Sequence, residues 1–251
     1  MNECDIIIKK LLLGDKMSFS EIIFKNICSQ YKNNYDKILK IIYPAKKYMG
    51  FTERNLTVNF SKAYDRAYSN DEIATWFEFT FGNDSKKDDL HLDCIIINKT
   101  QKNIFLIEAK RFRNIRKLRS TGWDIRRLFE VYGNREAEFN KRLIDINDYS
   151  FYGIILADIW VKPKQRDKKV IMDEFENKKL FSKSASFFSD IYEKYASDSF
   201  TAQQACDRLN NGMPLYNLQQ VDINGMFSNY KLNLLTLCWQ INDYSDFNKS
   251  F

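Results

Sequence analysis

Three charges sit where this chain should be building a hydrophobic core. Residues 90–98 (LHLDCIIIN) and 104–110 (IFLIEAK) are rich in Ile and Leu, a β-strand composition. The polar run 99–103 (KTQKN) between them has no apolar anchor, so the two stretches predict a hairpin. Asp93, Glu108 and Lys110 lie inside those strands. Two carboxylates and an ammonium in apolar surroundings suit one chemistry well. Carboxylate oxygens hold a hard divalent cation such as Mg²⁺, and the ammonium balances or exploits the remaining charge.

The register decides whether the three can meet. If the hairpin turns about Thr100 and Gln101, Ile97 faces Ile104, Ile95 faces Leu106 and Asp93 faces Glu108. Side chains alternate along a strand, so Lys110 joins Glu108 on the face that carries Asp93. Opposed Cβ atoms lie about 5 Å apart, and like charges there repel. At an effective dielectric near 20 that repulsion is on the order of 3 kcal/mol. Lys110 can compensate with one positive charge, a divalent ion with two.

The elements around the hairpin follow from periodicity. Residues 1–50 read as short helices, over 6–13, from Ser20-Glu21 onward, and over 36–43 ended by Pro44. Thr52 is placed as an N-cap, with Phe51 and Leu56 spaced for a hydrophobic staple. Leu56, Phe60, Ala63, Tyr64 and Ala67 then recur at helical spacing, which makes Glu53 the first helical residue. Glu53 reads either as a carboxylate favoured by the helix dipole or as an accessory acid of the site. Residues 73–81 predict a strand with Trp76, Glu78 and Thr80 on one face and Phe77, Phe79 and Phe81 on the other. Glu78 reaches the site only if this strand neighbours the hairpin. Otherwise it belongs to a solvated face.

After the hairpin, five of the nine residues 111–119 are Arg or Lys: Arg111, Arg113, Arg116, Lys117 and Arg119. Such runs are often solvated faces, but this one follows Lys110 directly, and guanidinium groups suit phosphate oxygens. A second basic stretch covers 162–169. Thr121-Gly122-Trp123-Asp124 resembles a capping box, opening a helix with Ile125, Leu128, Phe129 and Tyr132 on its apolar stripe and Gly133 at its end. A helix over 135–144 and a strand over 151–161 follow. The remainder reads as helices over 184–195, 201–209 and 226–241. His91, the one histidine, shares strand parity with Asp93 and could line the site mouth, although a lone histidine is commonly structural. No glycine loop of the phosphate-cradling kind is present.

Composition bounds the class. The chain has 251 residues, 44% hydrophobic and 29% charged, enough for one substantial core. A net charge of +6 favours an anionic partner. The five cysteines (4, 28, 94, 206, 238) are scattered without a Cys-x-x-Cys pair. That supports neither a zinc ribbon nor a disulfide framework, and fits a reduced cytoplasmic setting. No apolar run approaches a membrane span, and residues 1–5 do not open like a signal peptide, so neither membrane nor export is expected.

Asp93, then fourteen residues, then Glu108-Ala109-Lys110 resembles the PD-(D/E)XK nuclease superfamily. The element order over 52–161 also resembles its α-β-β-β-α-β core. Leu92 stands where the family has proline, and residues 121–132 lack the glutamine that some members carry on the following helix. The resemblance implies an α/β fold with a restriction-endonuclease-like core over 51–165, a mixed central sheet flanked by helices. Helical additions over 1–50 and 166–251 would pack on it. It further implies metal-dependent hydrolysis of phosphodiesters, of DNA first, in restriction, repair or genome defence. Asp93 and Glu108 would hold Mg²⁺ or Mn²⁺ with the Ala109 carbonyl, Lys110 would orient or deprotonate water, and Glu53 matches the glutamate that many members place on the first helix. Arg111 and the cations after it would grip nucleic acid, with a homodimer or a partner protein served by the flanking helices. Two other readings stand beside it. A nuclease-like fold could bind nucleic acid or a partner protein without cutting; a two-carboxylate glycosidase would work without metal but leaves Lys110 and the basic run unexplained.

Overall fold

The hairpin forms with the predicted register. Ile97 pairs with Ile104, Ile96 with Phe105, Ile95 with Leu106 and Cys94 with Ile107. A computed structural model describes residues 19–41, 52–81, 90–112, 115–142, 144–161, 215–221 and 231–241. Its elements are α1 (Glu21–Ile41), α2 (Glu53–Ala67), β1 (Ile73–Phe81), β2 (Leu90–Asn98), β3 (Asn103–Arg111), α3 (Ile115–Gly133), α4 (Arg135–Asn140), β4 (Ser150–Val161), β5 (Leu215–Val221) and β6 (Lys231–Gln240). The fold is α/β, a six-stranded mixed sheet flanked by helices. Strands run in the order β1-β2-β3-β4-β6-β5, with β3 and β4 parallel and every other pair antiparallel.

Each face of the sheet carries its own core. On one side α1 and α2 bring Phe24, Ile27, Tyr31, Leu56, Phe60 and Tyr64 onto Ile96, Phe105, Ile107 and Ile154. On the other, α3 and α4 bring Ile125, Leu128, Phe129 and Phe139 onto Ile95, Leu106, Ile155 and Leu237. β3, β4 and β6 are buried on both faces, so they read as near-continuous apolar runs instead of alternating ones. Gly153 of β4 faces Trp239 of β6, and the indole lies where a Cβ would stand.

β1 and β2 reverse faces together. Phe77 packs with the α1/α2 layer and Phe79 with the α3 layer, although two positions apart they should share a face. Their partners Cys94 and Leu92 do the same. The reversal falls at Glu78, which has φ 54°, and at Asp93 across from it. The expected common face of Phe77, Phe79 and Phe81 is therefore corrected.

Four more expectations change. Residues 21–41 form one helix, because Asn34 in its middle is satisfied from outside: its Nδ2 donates to the Asn59 carbonyl at 3.1 Å and its Oδ1 accepts from Arg66 at 2.6 Å. α3 starts at Ile115, which puts Thr121 inside the helix and not at a cap. α4 ends at Asn140, short of the predicted 144. The expected helix over 226–241 gives way to strand β6, and β5 is a second strand in the region read as helical. Leu232, Leu234, Leu235 and Leu237 mimic helical spacing because both faces of β6 are covered. The readings of 6–13, 162–169, 184–195 and 201–209 lie outside the described residues. Among the described residues, no helix is long and apolar enough to cross a membrane.

Candidate active site

The ends of β2 and β3 gather the predicted charges. Beyond Cys94↔Ile107 the ladder stops, and the half-buried Asp93 replaces it with its side chain: Oδ2 accepts the Ala109 backbone N–H at 2.7 Å. Glu108 follows Leu106 on the α3 side of β3 and is 1% exposed. Lys110, one pleat further, is mostly buried, and its Nζ lies 3.1 Å from Oδ1 of Asp124 on α3. Arg127, one turn along α3, donates from Nη1 to Glu108 Oε1 at 2.9 Å and to the His91 carbonyl at 3.1 Å. Its Nη2 lies 3.7 Å from Asp124 Oδ1.

Glu53 arrives from the other side. As first residue of α2 it turns Oε1 to the backbone N–H of Arg111 at 3.1 Å, so it braces the strand end where Lys110 stands. Thr52 takes the N-cap position without a side-chain cap bond.

Electrostatics bind the cluster together. Burial pushes the Glu108 carboxyl well above the usual range, and the charges of Asp124 and Asp93 push it further; Arg127 and Lys110 oppose them. Asp124 is raised for the same leading reason, with Lys110 and Arg127 opposing. Burial works against the Lys110 ammonium, yet Asp124 and Glu108 override it and hold it above its ordinary value. Among the described residues, Asp93, Glu108 and Asp124 face two cations, Lys110 and Arg127, and Asp124 Oδ2 is buried with no hydrogen-bond partner.

Can these residues hold a metal? Among the described residues, no group of three Asp, Glu, His or Cys side chains is placed to do so. Mg²⁺ ordinarily takes only one or two protein carboxylates and completes its shell with water and substrate oxygens. Asp93 and Glu108 supply such a pair, and neither Asp93 Oδ1 nor Glu108 Oε2 accepts a hydrogen bond from any described residue. The donor set fits Mg²⁺ or Mn²⁺.

Other predicted residues fare differently. Arg111 is 6% exposed and turns to the opposite layer, where its Nη2 lies 3.3 Å from the buried Asp158. It is a core ion pair and not a phosphate contact, because strand alternation sends it away from Lys110. Arg116, Lys117 and Arg119 fall in the first turns of α3, and Arg113 lies outside the described residues. His91 is exposed and its Nδ1 sits 3.0 Å from Thr80 Oγ1, a cross-strand pair; only its carbonyl touches the cluster. Glu78 is exposed at the face reversal opposite Asp93. The sequence reading missed Asp124, Arg127 and Asp158. Asp124 and Arg127 are spaced i,i+3 on α3, a pairing the predicted helix already allowed but whose contact with β3 only the fold reveals.

Compared with known proteins, the chain matches no family model, no curated protein and no solved structure.

Proposed function

We propose that this protein is a metal-dependent nuclease of PD-(D/E)XK type, hydrolysing phosphodiester bonds in nucleic acid, DNA first, in restriction, repair or genome defence. The observation that carries the reading is the meeting of Asp93, Glu108 and Lys110 at one hairpin end, with Glu53 bracing the same strand from the first helix. The succession α2, β1, β2, β3, α3, β4, with the short α4 inserted before β4, accords with a restriction-endonuclease-like core.

In this reading Asp93 and Glu108 hold Mg²⁺ or Mn²⁺, with the Ala109 carbonyl as a further oxygen. The ion would make a bound water acidic and offset charge on the phosphate. Lys110, kept protonated by Asp124, serves as a fixed cation toward the phosphate more readily than as a base. Asp93 stays aligned because the Ala109 N–H holds one of its oxygens. Cations on the first turns of α3 would follow the nucleic-acid backbone through phosphates, giving salt-sensitive affinity.

The test is cleavage of supercoiled, linear and single-stranded DNA and of RNA with Mg²⁺ or Mn²⁺, for wild type, Glu108→Ala and Lys110→Ala. Wild-type cutting that EDTA and both substitutions abolish is the expected result. Equal activity in all three proteins would sink the reading. A second reading, a nuclease-like fold that only binds, is favoured by one observation: Glu108 and Lys110 are both engaged in ion pairs within the protein. It predicts salt-sensitive binding and no cleavage with any metal.

A further inference from the structure

Arg127 stands where the proposed metal would need Glu108. It is the described cation hydrogen-bonded to that carboxylate, at 2.9 Å, while Lys110 is taken up by Asp124 at 3.1 Å. The two cations are held differently. The Lys110 side chain is 14% exposed and its partner Asp124 3%. The Arg127 side chain is 31% exposed over a Glu108 that is 1% exposed. Arg127 can therefore leave toward solvent, whereas Lys110 is enclosed.

We propose, resting on the nuclease reading above, that Arg127 is a displaceable counter-cation: it neutralises Glu108 in the metal-free protein, yields the carboxylate to the divalent ion, and then grips the substrate phosphate.

Charge balance argues for the exchange. Without an ion, the buried Glu108 beside Asp93 and Asp124 is served by the Arg127 guanidinium, the described cation hydrogen-bonded to it, while Lys110 is held by Asp124. A divalent ion brings two charges to the same carboxylate, so a guanidinium held against it would face a like charge. Arg127 is then repelled outward on α3, the helix that opens with Arg116, Lys117 and Arg119. Its planar fork suits two phosphate oxygens, which a lysine ammonium meets only as a point charge. Among the described residues, Nη1 alone is committed, to Glu108 and the His91 carbonyl, and the 3.7 Å approach of Nη2 to Asp124 is long.

Competition makes a prediction opposite to that of a structural brace. Mn²⁺ binding would be measured by calorimetry and by the electron-spin signal of free Mn²⁺, for wild type, Arg127→Gln, Arg127→Lys and Arg127→Gln/Glu108→Gln. Removing the competitor should tighten Mn²⁺ binding by about 5-fold or more. Arg127→Lys should fall between wild type and Arg127→Gln, and it carries the test if the glutamine variant fails to fold by circular dichroism. The double variant should lose the binding. On an uncleavable phosphorothioate oligonucleotide with Mn²⁺, Arg127→Gln should bind more weakly and with a shallower salt dependence. Mn²⁺ binding that is present in wild type and unchanged or weaker in both Arg127 variants would overturn the exchange and leave the nuclease reading intact. Absence of Mn²⁺ binding in wild type and both single variants would overturn both.

Discussion

Asp93 and Ala109 are joined across the hairpin by a side-chain carboxylate where a backbone carbonyl would ordinarily sit, Oδ2 accepting the amide N–H at 2.7 Å. The bond fixes the carboxylate and also ends the ladder between β2 and β3. Asparagine can still accept that bond, but it carries no charge. Asp93→Asn should therefore stay within about 0.5 kcal/mol of wild type, whereas Asp93→Ala loses about 1–2 kcal/mol. Both should lose Mn²⁺ affinity. Urea denaturation beside Mn²⁺ titration separates the two effects, and an unstable Asp93→Asn would contradict the assignment.

The Lys110 ammonium is kept charged by Asp124 against the pull of burial. Asp124→Asn removes that hold, so the amine should titrate at lower pH. Acetylation by acetic anhydride, followed at Lys110 by mass spectrometry across pH, should begin at a lower pH in the variant. Identical profiles would mean that Asp124 does not control Lys110.

Asp158 gives a pH signature on the opposite side of the sheet. Burial lifts its carboxyl from 3.8 to about 6, despite the Arg111 guanidinium and the Trp160 indole N–H beside it. A carboxyl that binds its proton more tightly in the folded state stabilises the fold most below 3.8, and that contribution disappears as pH rises toward about 6. The loss is on the order of 3 kcal/mol. Asp158→Asn should flatten the stability profile over that window, and loss of the ion pair with the buried Arg111 should lower the whole curve. Chemical denaturation at closely spaced pH values checks the slope.

Glu78 occupies a left-handed backbone conformation, φ 54°, that costs a non-glycine residue about 1–2 kcal/mol. Glycine adopts it without strain, so Glu78→Gly should raise stability by up to about 1 kcal/mol after its larger unfolded-state entropy is counted. Glu78→Val should lower it, since β-branching fits this region worst. If the glycine variant were clearly destabilised, the side chain would have to hold the face reversal in some other way.

Where local pattern decides structure, the sequence was a good guide. Paired isoleucine runs and a five-residue polar turn predict a hairpin, and a turn about Thr100 and Gln101 gives the register the structure has. Glu53 falls at the first position of its helix, as expected from Thr52 at the N-cap and the apolar stripe of Leu56, Phe60 and Ala63. The pattern failed where tertiary structure overrules it. Leucines on a strand covered from both sides look helical, which hid β6. The reversal at Glu78 and Asp93 breaks alternation without any glycine or proline to announce it. Arg111 was read with its charged neighbours, although strand parity turns it into the other layer. The contact of Asp124 and Arg127 with β3 is one that only the fold reveals.

The sheet order has a consequence for how the protein is made. β4 lies between β3 and β6, and the residues of β6 follow Val161 only after the whole interval 162–230. On the ribosome, the proposed catalytic hairpin and β4 can assemble while one long edge of β4 is still open. That edge carries Ile154, Ile155, Leu156, Ile159 and Trp160, a ready template for pairing with another chain. A chain cut after Val161 keeps Asp93, Glu108 and Lys110, yet it should pellet on expression and not yield a smaller working unit. Soluble, monomeric recovery of such a fragment by size exclusion would show that the hairpin side folds without β6.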